Sequence, residues 1–303
     1  MTRSRHNLGR FLVVAVPYLW LGFFFLVPFL IVLKISLSHD VIAQPPYAPL
    51  LDLSQGWQGL KNFFSELDSS NYALLASDAL YLDSYLQSLR IAAISTLILL
   101  FVGYPIAYAM ARAPERFRAL LVMAVILPFW TSFLIRIYAW MGILSREGFL
   151  SQLLQHLGLT DRPVELLYTN TAVYIGIVYS YLPFMVLPLY AALEKMDHAL
   201  LEAASDLGAP PLRAFWRVTF PLSLPGVIAG SLLCFIPAVG EFVIPDLMGG
   251  SETLMIGKTL WTEFFVNRSW TVSSAAAVVL LIVLVAPILI YQRVEMRSIE
   301  AAR

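Results

Sequence analysis

The chain has 303 residues, of which 59% are hydrophobic and 13% charged, with no net charge and a mean hydropathy of +0.75. A soluble domain carries roughly a quarter charged residues, and apolar blocks this long exceed what one water-soluble core can hold, so a bilayer is their solvent. Zero net charge argues against a polyanion-binding surface and so against nucleic acid as a partner, while one cysteine (Cys234, in an apolar run) and four scattered histidines exclude an internal disulfide and suggest no metal cluster.

In chain order, six apolar segments stand out: 11–35, 85–111, 119–144, 171–193, 221–245 and 272–291. Each is close to the ~20 residues a helix needs to cross ~30 Å of hydrocarbon. The first follows Arg3, Arg5 and Arg10 and mimics a signal peptide, but its apolar run from Phe11 to Leu33 is longer than the roughly 7–15 residues of such a core. It reads as a retained first helix. Pro17, Pro28, Pro105, Pro128, Pro183, Pro188, Pro237 and Pro287 fall inside these segments. Neighbouring helices of a membrane bundle satisfy the carbonyls that proline frees. The stretch 36–84 is long and rich in Pro, Ser and Asp, and reads as an outer loop too polar for a further span.

Lysine and arginine give the orientation. Segments 1–10, 112–118, 194–220 and 292–303 hold twelve of them, whereas the longer segments 36–84, 145–170 and 246–271 hold five. This positive-inside bias predicts that both termini are cytoplasmic. The expected organisation is a cytoplasmic tail 1–10, a transmembrane permease domain 11–291 and a cytoplasmic tail 292–303. The outer segments also carry twelve acids, an acidic face that would modestly concentrate cations.

Ile256-Gly257-Lys258-Thr259 looks like the end of a phosphate-binding loop, but the earlier glycine such a loop needs is replaced by Glu252, which would repel phosphate. There is no G-x-S-x-G elbow and no H-E-x-x-H pair, so no enzymatic activity is expected of the chain.

The informative inner segment is 199–221. Leu200, Ala203, Ala204 and Leu207 recur at helical spacing and make a short apolar stripe. Gly208 supplies a turn, Pro210-Pro211 stop the first helix, and Pro221 is expected to open the next. A short exposed helix with small alanines and one carboxylate suits insertion into a protein groove; the plainer alternative is a connector lying on the membrane surface.

This segment resembles the EAA signature of bacterial ABC-importer permeases: Glu202-Ala203-Ala204, three residues, Gly208, nine residues, then Val218-Thr219-Phe220-Pro221, with Val and Phe where the signature has Ile and Leu. Three further stretches are similar to the polyamine branch of that family: Tyr85-Leu86-Gln87-Ser88-Leu89; Leu127 to Arg136 with Ala139-Trp140; and Ile236 to Gly250. Within the branch the likeness is greatest to putrescine permease subunits that pair with a second, similar permease. The resemblance implies an all-α integral membrane protein of about six spans with the type I ABC-importer permease fold and a cytoplasmic coupling helix, in a bacterial inner membrane. It also implies a second homologous permease chain, two ATPase subunits that bind ATP and Mg, a periplasmic substrate-binding protein, and no cofactor in this chain. Glu202, Ala203, Ala204, Gly208 and Pro221 would couple to the ATPases.

Charges at membrane depth are costly and mark functional candidates. Glu241 follows Gly240 in the outer half of the fifth segment, where its carboxylate would meet an ammonium of a polyamine, putrescine first among them. The competing reading is a Glu hydrogen-bonded to a neighbouring helix or paired with a partner chain. Asp246 lies further out, at a pore mouth, and Trp130 and Tyr138 offer cation–π faces. Arg136 would repel a polyamine and reads as an anchor or the partner of an acid. Two rival functions are the same importer carrying spermidine or an amino acid, and a secondary transporter, which predicts inverted repeats that the sequence lacks.

Overall fold

The computed structural model describes residues 13–51, 54, 56–197 and 199–301, with side chains placed through residue 289 apart from 286 and 287. The expected tail 1–10 lies outside the described residues. The chain forms two compact units, Met1–Leu82 with Thr259–Arg303, and Asp83–Lys258.

In the first unit, α1 (Val13–Ser36) is the most apolar of the candidate spans, and none of its apolar window is buried. A π-helical turn at Gly22–Leu26 sits just before Pro28. The wider turn absorbs the hydrogen bond that proline cannot make. The stretch read as a polar loop is instead structured. A two-residue antiparallel ladder pairs β1 (His39–Asp40) with β2 (Tyr47–Ala48), and two helices follow, α2 (Gly56–Ser65) and α3 (Ser70–Ser77). Local hydrogen bonds override the loop-like composition: Asp68 Oδ1 accepts from Ser70 N at 3.2 Å, and hydrogen bonding, first from the Ser70 side chain and then from the Ser69 backbone, holds the Asp68 carboxyl below its usual range. Asn71 Nδ2 donates to the carbonyls of Ser36 and Ser38 at 2.9 and 2.7 Å, tying α3 to the end of α1. The last helix, α13 (Trp270–Ala301), packs along α1 and α3. Asp40 accepts from Ser269 and Thr271 at its start. Its backbone helix runs without a break past the expected boundary at 291.

In the second unit, α4 (Ala79–Arg112) begins in the first and is followed by α5 (Glu115–Ile126), which ends in a 3₁₀ turn at Leu127–Trp130. α6 (Phe133–Leu144) and α7 (Phe149–His156) come next. The segment expected as one span, 119–144, is therefore a broken pair, bent by 88° at Thr131–Ser132. Pro128 removes an amide, and the Thr131 hydroxyl donates back to the Pro128 carbonyl at 2.8 Å, which satisfies the chain in its bent form. α8 (Asn170–Glu194) matches expectation, capped by Thr169. α9 (Ala199–Asp206) is the expected short inner helix.

α10 (Pro211–Val239) corrects two expectations. Helix begins at Pro211, not Pro221, because a π turn at Phe215–Thr219 carries the chain through the second proline; Phe220 N reaches back to the Phe215 carbonyl. It also stops at Gly240 instead of running to 245, and α11 (Val243–Met248) and α12 (Ile256–Phe265) follow as short pieces.

Among the described residues four helices are long and apolar enough to cross a bilayer, and the bent pair is a fifth when counted as one broken span. The described apolar part of α13, Trp270–Val285, is shorter than the rest, which is where the expected six spans and the observed lengths differ. The core of the second unit is the α8–α10 contact. Gly226 and Gly230 let the backbones touch: a Cβ at Gly226 would stand 2.7 Å from Ala192 Cβ and 2.8 Å from the Pro188 carbonyl oxygen. Leu99, Met185, Leu189 and Cys234 are wholly buried there.

Candidate functional site

The break after α10 builds the site. Gly240 ends the helix, and Glu241 turns back over the start of α11. Its Oε1 accepts from Val243 N at 3.1 Å, and its Oε2 from the Tyr181 hydroxyl of α8 at 2.7 Å. The residue is 9% exposed. With both oxygens engaged beside a helix N-terminus, the carboxylate has part of the cost of its removal from water offset. Glu241 is thus hydrogen-bonded to a neighbouring helix, the competing reading weighed above, and also lies at the one interruption between α10 and α11.

The surrounding loop is held at close quarters. Gly257 faces the break so tightly that a Cβ there would lie 2.3 Å from the Gly240 carbonyl oxygen and 2.6 Å from that of Glu241. Its neighbour Lys258 then reaches Asp246, Nζ to Oδ1 3.4 Å, with both side chains partly exposed. The segment that mimicked a phosphate loop therefore supplies a close backbone contact and an ion pair. From α4, Gln87 donates to the Glu252 carbonyl and accepts from Leu254 N, both at 3.0 Å, and Ser88 Oγ accepts from Ile256 N at 2.7 Å. Thr253 donates to Asn170 at the start of α8. Gln87 and Ser88, noted in sequence only as part of a motif, thus position the α11–α12 loop. Tyr181 was not singled out, since a pairing across 60 residues of chain leaves no local signal, and Lys258 was noted only within the phosphate-loop look-alike.

Trp130 and Tyr138 lie on the bent pair, 75% and 57% exposed. Phe129 of the same pair, not Trp130 or Tyr138, begins an aromatic run toward Tyr181: Phe129 meets Phe184 edge-on at 5.2 Å, and Phe184 lies 6.0 Å from Tyr181. Arg136 is buried on the same pair, stacked 4.9 Å from Phe129.

At the other end of the unit, α9 buries none of its residues. Glu202 and Ala203 are exposed, Ala204 is half-buried, Leu207 is 88% exposed, and Pro221 is exposed on α10. Gly208 adopts φ +73°, its N–H donates to the Ser205 carbonyl, and Ala209 N donates to that of Ala204. These two bonds are a Schellman ending, which demands the left-handed residue that glycine supplies.

The sequence profile of the binding-protein-dependent transport system inner membrane component family matches residues 103–297. The chain belongs to this family. Similar proteins include the spermidine/putrescine transport system permease protein PotB of Haemophilus influenzae, 40% identical over 290 residues that cover 95% of this chain and 94% of the relative. The PotB of Escherichia coli is 46% identical over 74% of this chain and 81% of its own length. The inner membrane ABC transporter permease protein YdcU of E. coli is 33% identical over 80% and 77%. In fold, the permease is similar to a chain of a bacterial ABC transporter involved in the import of the acidic polysaccharide alginate, with a TM-score of 0.69 at 15% identity, covering 97% of this chain and 99% of that one. The permease is a multi-pass inner-membrane component of a transport system, not an enzyme, and the family has no cofactor.

Proposed function

We propose that the permease is one half of the membrane pore of an ATP-driven polyamine importer, with putrescine as its first substrate. The observation that carries the reading is identity of 40% along nearly the whole chain with a relative named for spermidine and putrescine transport. Glu241 and Asp246, carboxylates at the break in the outer half of the unit, support it, as each can meet an ammonium. Trp130 and Tyr138 offer exposed aromatic faces to the same cation. A second homologous permease completes the pore, a periplasmic binding protein delivers substrate, and two ATPase subunits bind ATP and Mg. Those ATPases dock on α9 through Glu202, Ala203, Ala204 and Gly208, with Pro221 in the helix behind. Both termini lie in the cytoplasm, with the permease domain spanning 11–291 between the tails.

The test is ATP-driven uptake of labelled putrescine by the complete complex in proteoliposomes, with spermidine and amino acids as unlabelled competitors. Putrescine entry, blocked by spermidine and not by amino acids, is the expected result. Entry of an amino acid with neither polyamine competing would reject the assignment.

A further inference from the structure

Arg136 is a cation about midway along the bent pair, one turn past the break at Thr131–Ser132, and is only 9% exposed. Its Nε and Nη1 are enclosed and have no hydrogen-bond acceptor among the described residues. What it has instead is aromatic: the guanidinium lies 4.9 Å from the Phe129 ring centre and 5.8 Å from that of Phe133. Rings offset part of the cost of a desolvated cation, but they leave the three N–H donors of Nε and Nη1 without the acceptors that buried donors require. A buried, uncompensated charge is among the least tolerable features of a fold, and lipid tails at this depth offer no acceptor.

The surface around it is outward-facing and apolar. Trp130 is 75% exposed, Ile135 66%, Tyr138 57% and Leu134 47%. Aromatic residues grouped around an arginine are the composition of an interface centre, not of a lipid-facing helix, where a charge is excluded. We infer that Arg136 is the docking point for a carboxylate of the second permease chain, with Leu134 and Ile135 forming the apolar rim of that contact. In the chain by itself the guanidinium is stowed on Phe129; in the complex a side-chain rotation exchanges the ring for the bidentate acceptor to which its planar fork is matched. The inference rests on the two-chain pore proposed above but not on the identity of the substrate.

The test reads assembly, not uptake. A photo-crosslinking phenylalanine analogue at Ile135 in the assembled complex should capture the second permease chain; capture of lipid alone would overturn the proposal. R136M should reduce the second permease co-purified per chain by about tenfold or more, with R136K, which keeps the charge, retaining clearly more of it. Equal losses in the two variants would remove charge from the explanation. The R136M chain purified alone should unfold at an unchanged or higher temperature. A lower temperature there would show that Arg136 serves its own chain through Phe129, and the interface assignment would fall. Failure of polyamine uptake in the unaltered complex would reject the substrate and leave these readouts as they stand.

Discussion

At the scale of single residues, Glu241 carries two readings that the geometry makes separable. Its carboxylate is already satisfied by Tyr181 and by Val243 N, so a structural role is real. A role in the pathway requires that an ammonium displace one of those donors, and the Tyr181 hydroxyl is the one that a side-chain rotation can release. Glu241→Gln keeps the shape and lets the amide oxygen accept from Val243 N, while Tyr181 turns to accept from the new amide N–H. Assembly should survive. A hydrogen bond to a charged group is worth roughly 1.5–3 kcal/mol, so uptake of labelled putrescine per assembled complex should fall about tenfold to a hundredfold. Tyr181→Phe, which leaves the charge in place, should cost far less uptake. Normal transport by well-assembled Glu241→Gln complexes would leave Glu241 a helix cap and nothing more. The sequence already marked Glu241 as a charge out of place in an apolar run and Asp246 as a carboxylate just beyond its end. What it could not show was that each has a partner, because Tyr181 and Lys258 are ordinary residues in their own segments and only folding brings them near.

At the scale of elements, the helices were legible where apolar length alone decides them: α1 and α8 lie close to their expected limits, while α4 begins at Ala79, six residues before its expected start. The bent pair and the end of α10 were not, because hydropathy counts apolar residues and is blind to direction; proline was visible at 128 and 237, but whether a bundle straightens or bends a helix there depends on its neighbours. The turn after α9 was read correctly from Gly208, as a left-handed glycine between an apolar stripe and a proline pair has few alternatives. Gly208→Ala should cost about 1–2 kcal/mol from its φ alone, since nothing lies within 4 Å of the added methyl. Its expected effect is re-aimed α9 and loss of ATPase subunits on purification. Glu202→Lys, on an exposed position, should cause the same loss with no change in the chain's own thermal unfolding. Full ATPase retention in both variants would rule out docking on α9. Gly257→Ala is a different case. Its methyl would meet backbone carbonyls at 2.3 and 2.6 Å that no rotamer change relieves, and overpacking of this kind costs about 1–3 kcal/mol or more. The expected signature is a lower unfolding temperature in detergent together with lost uptake, and an unchanged temperature would mean that the α11–α12 loop is not fixed against the break.

At the scale of the molecule, the second unit sorts its connections to two ends, and this gives the arginine count a geometric counterpart. One end collects the start of α4, the start of α8 and the α11–α12 loop, joined by the Gln87, Ser88 and Thr253 hydrogen bonds. The other end joins the α4–α5 turn to the end of α8 through Arg118 and Glu194 at 3.5 Å. The arginines Arg112, Arg116, Arg118, Arg213 and Arg217 all belong to connections at this second end or to the helix start beyond it, so the positive-inside rule predicts that this end faces the cytoplasm. Arg3, Arg5 and Arg10, which add to the same count, lie outside the described residues. The prediction is that a cysteine replacing Ser251, in the α11–α12 loop, and one replacing Glu115, at the start of α5, face opposite sides. Both positions are exposed, and Cys234 is wholly buried, so the unaltered chain serves as an unreactive control. A membrane-impermeant maleimide added to intact cells with a permeable outer membrane should label the Ser251 variant only. Lysis should then expose the Glu115 variant. The reverse pattern would invert the permease, placing the Glu241 break on the cytoplasmic side and α9 outside, away from any supply of ATP; labelling of both from outside would mean that the two ends are not separated by a bilayer.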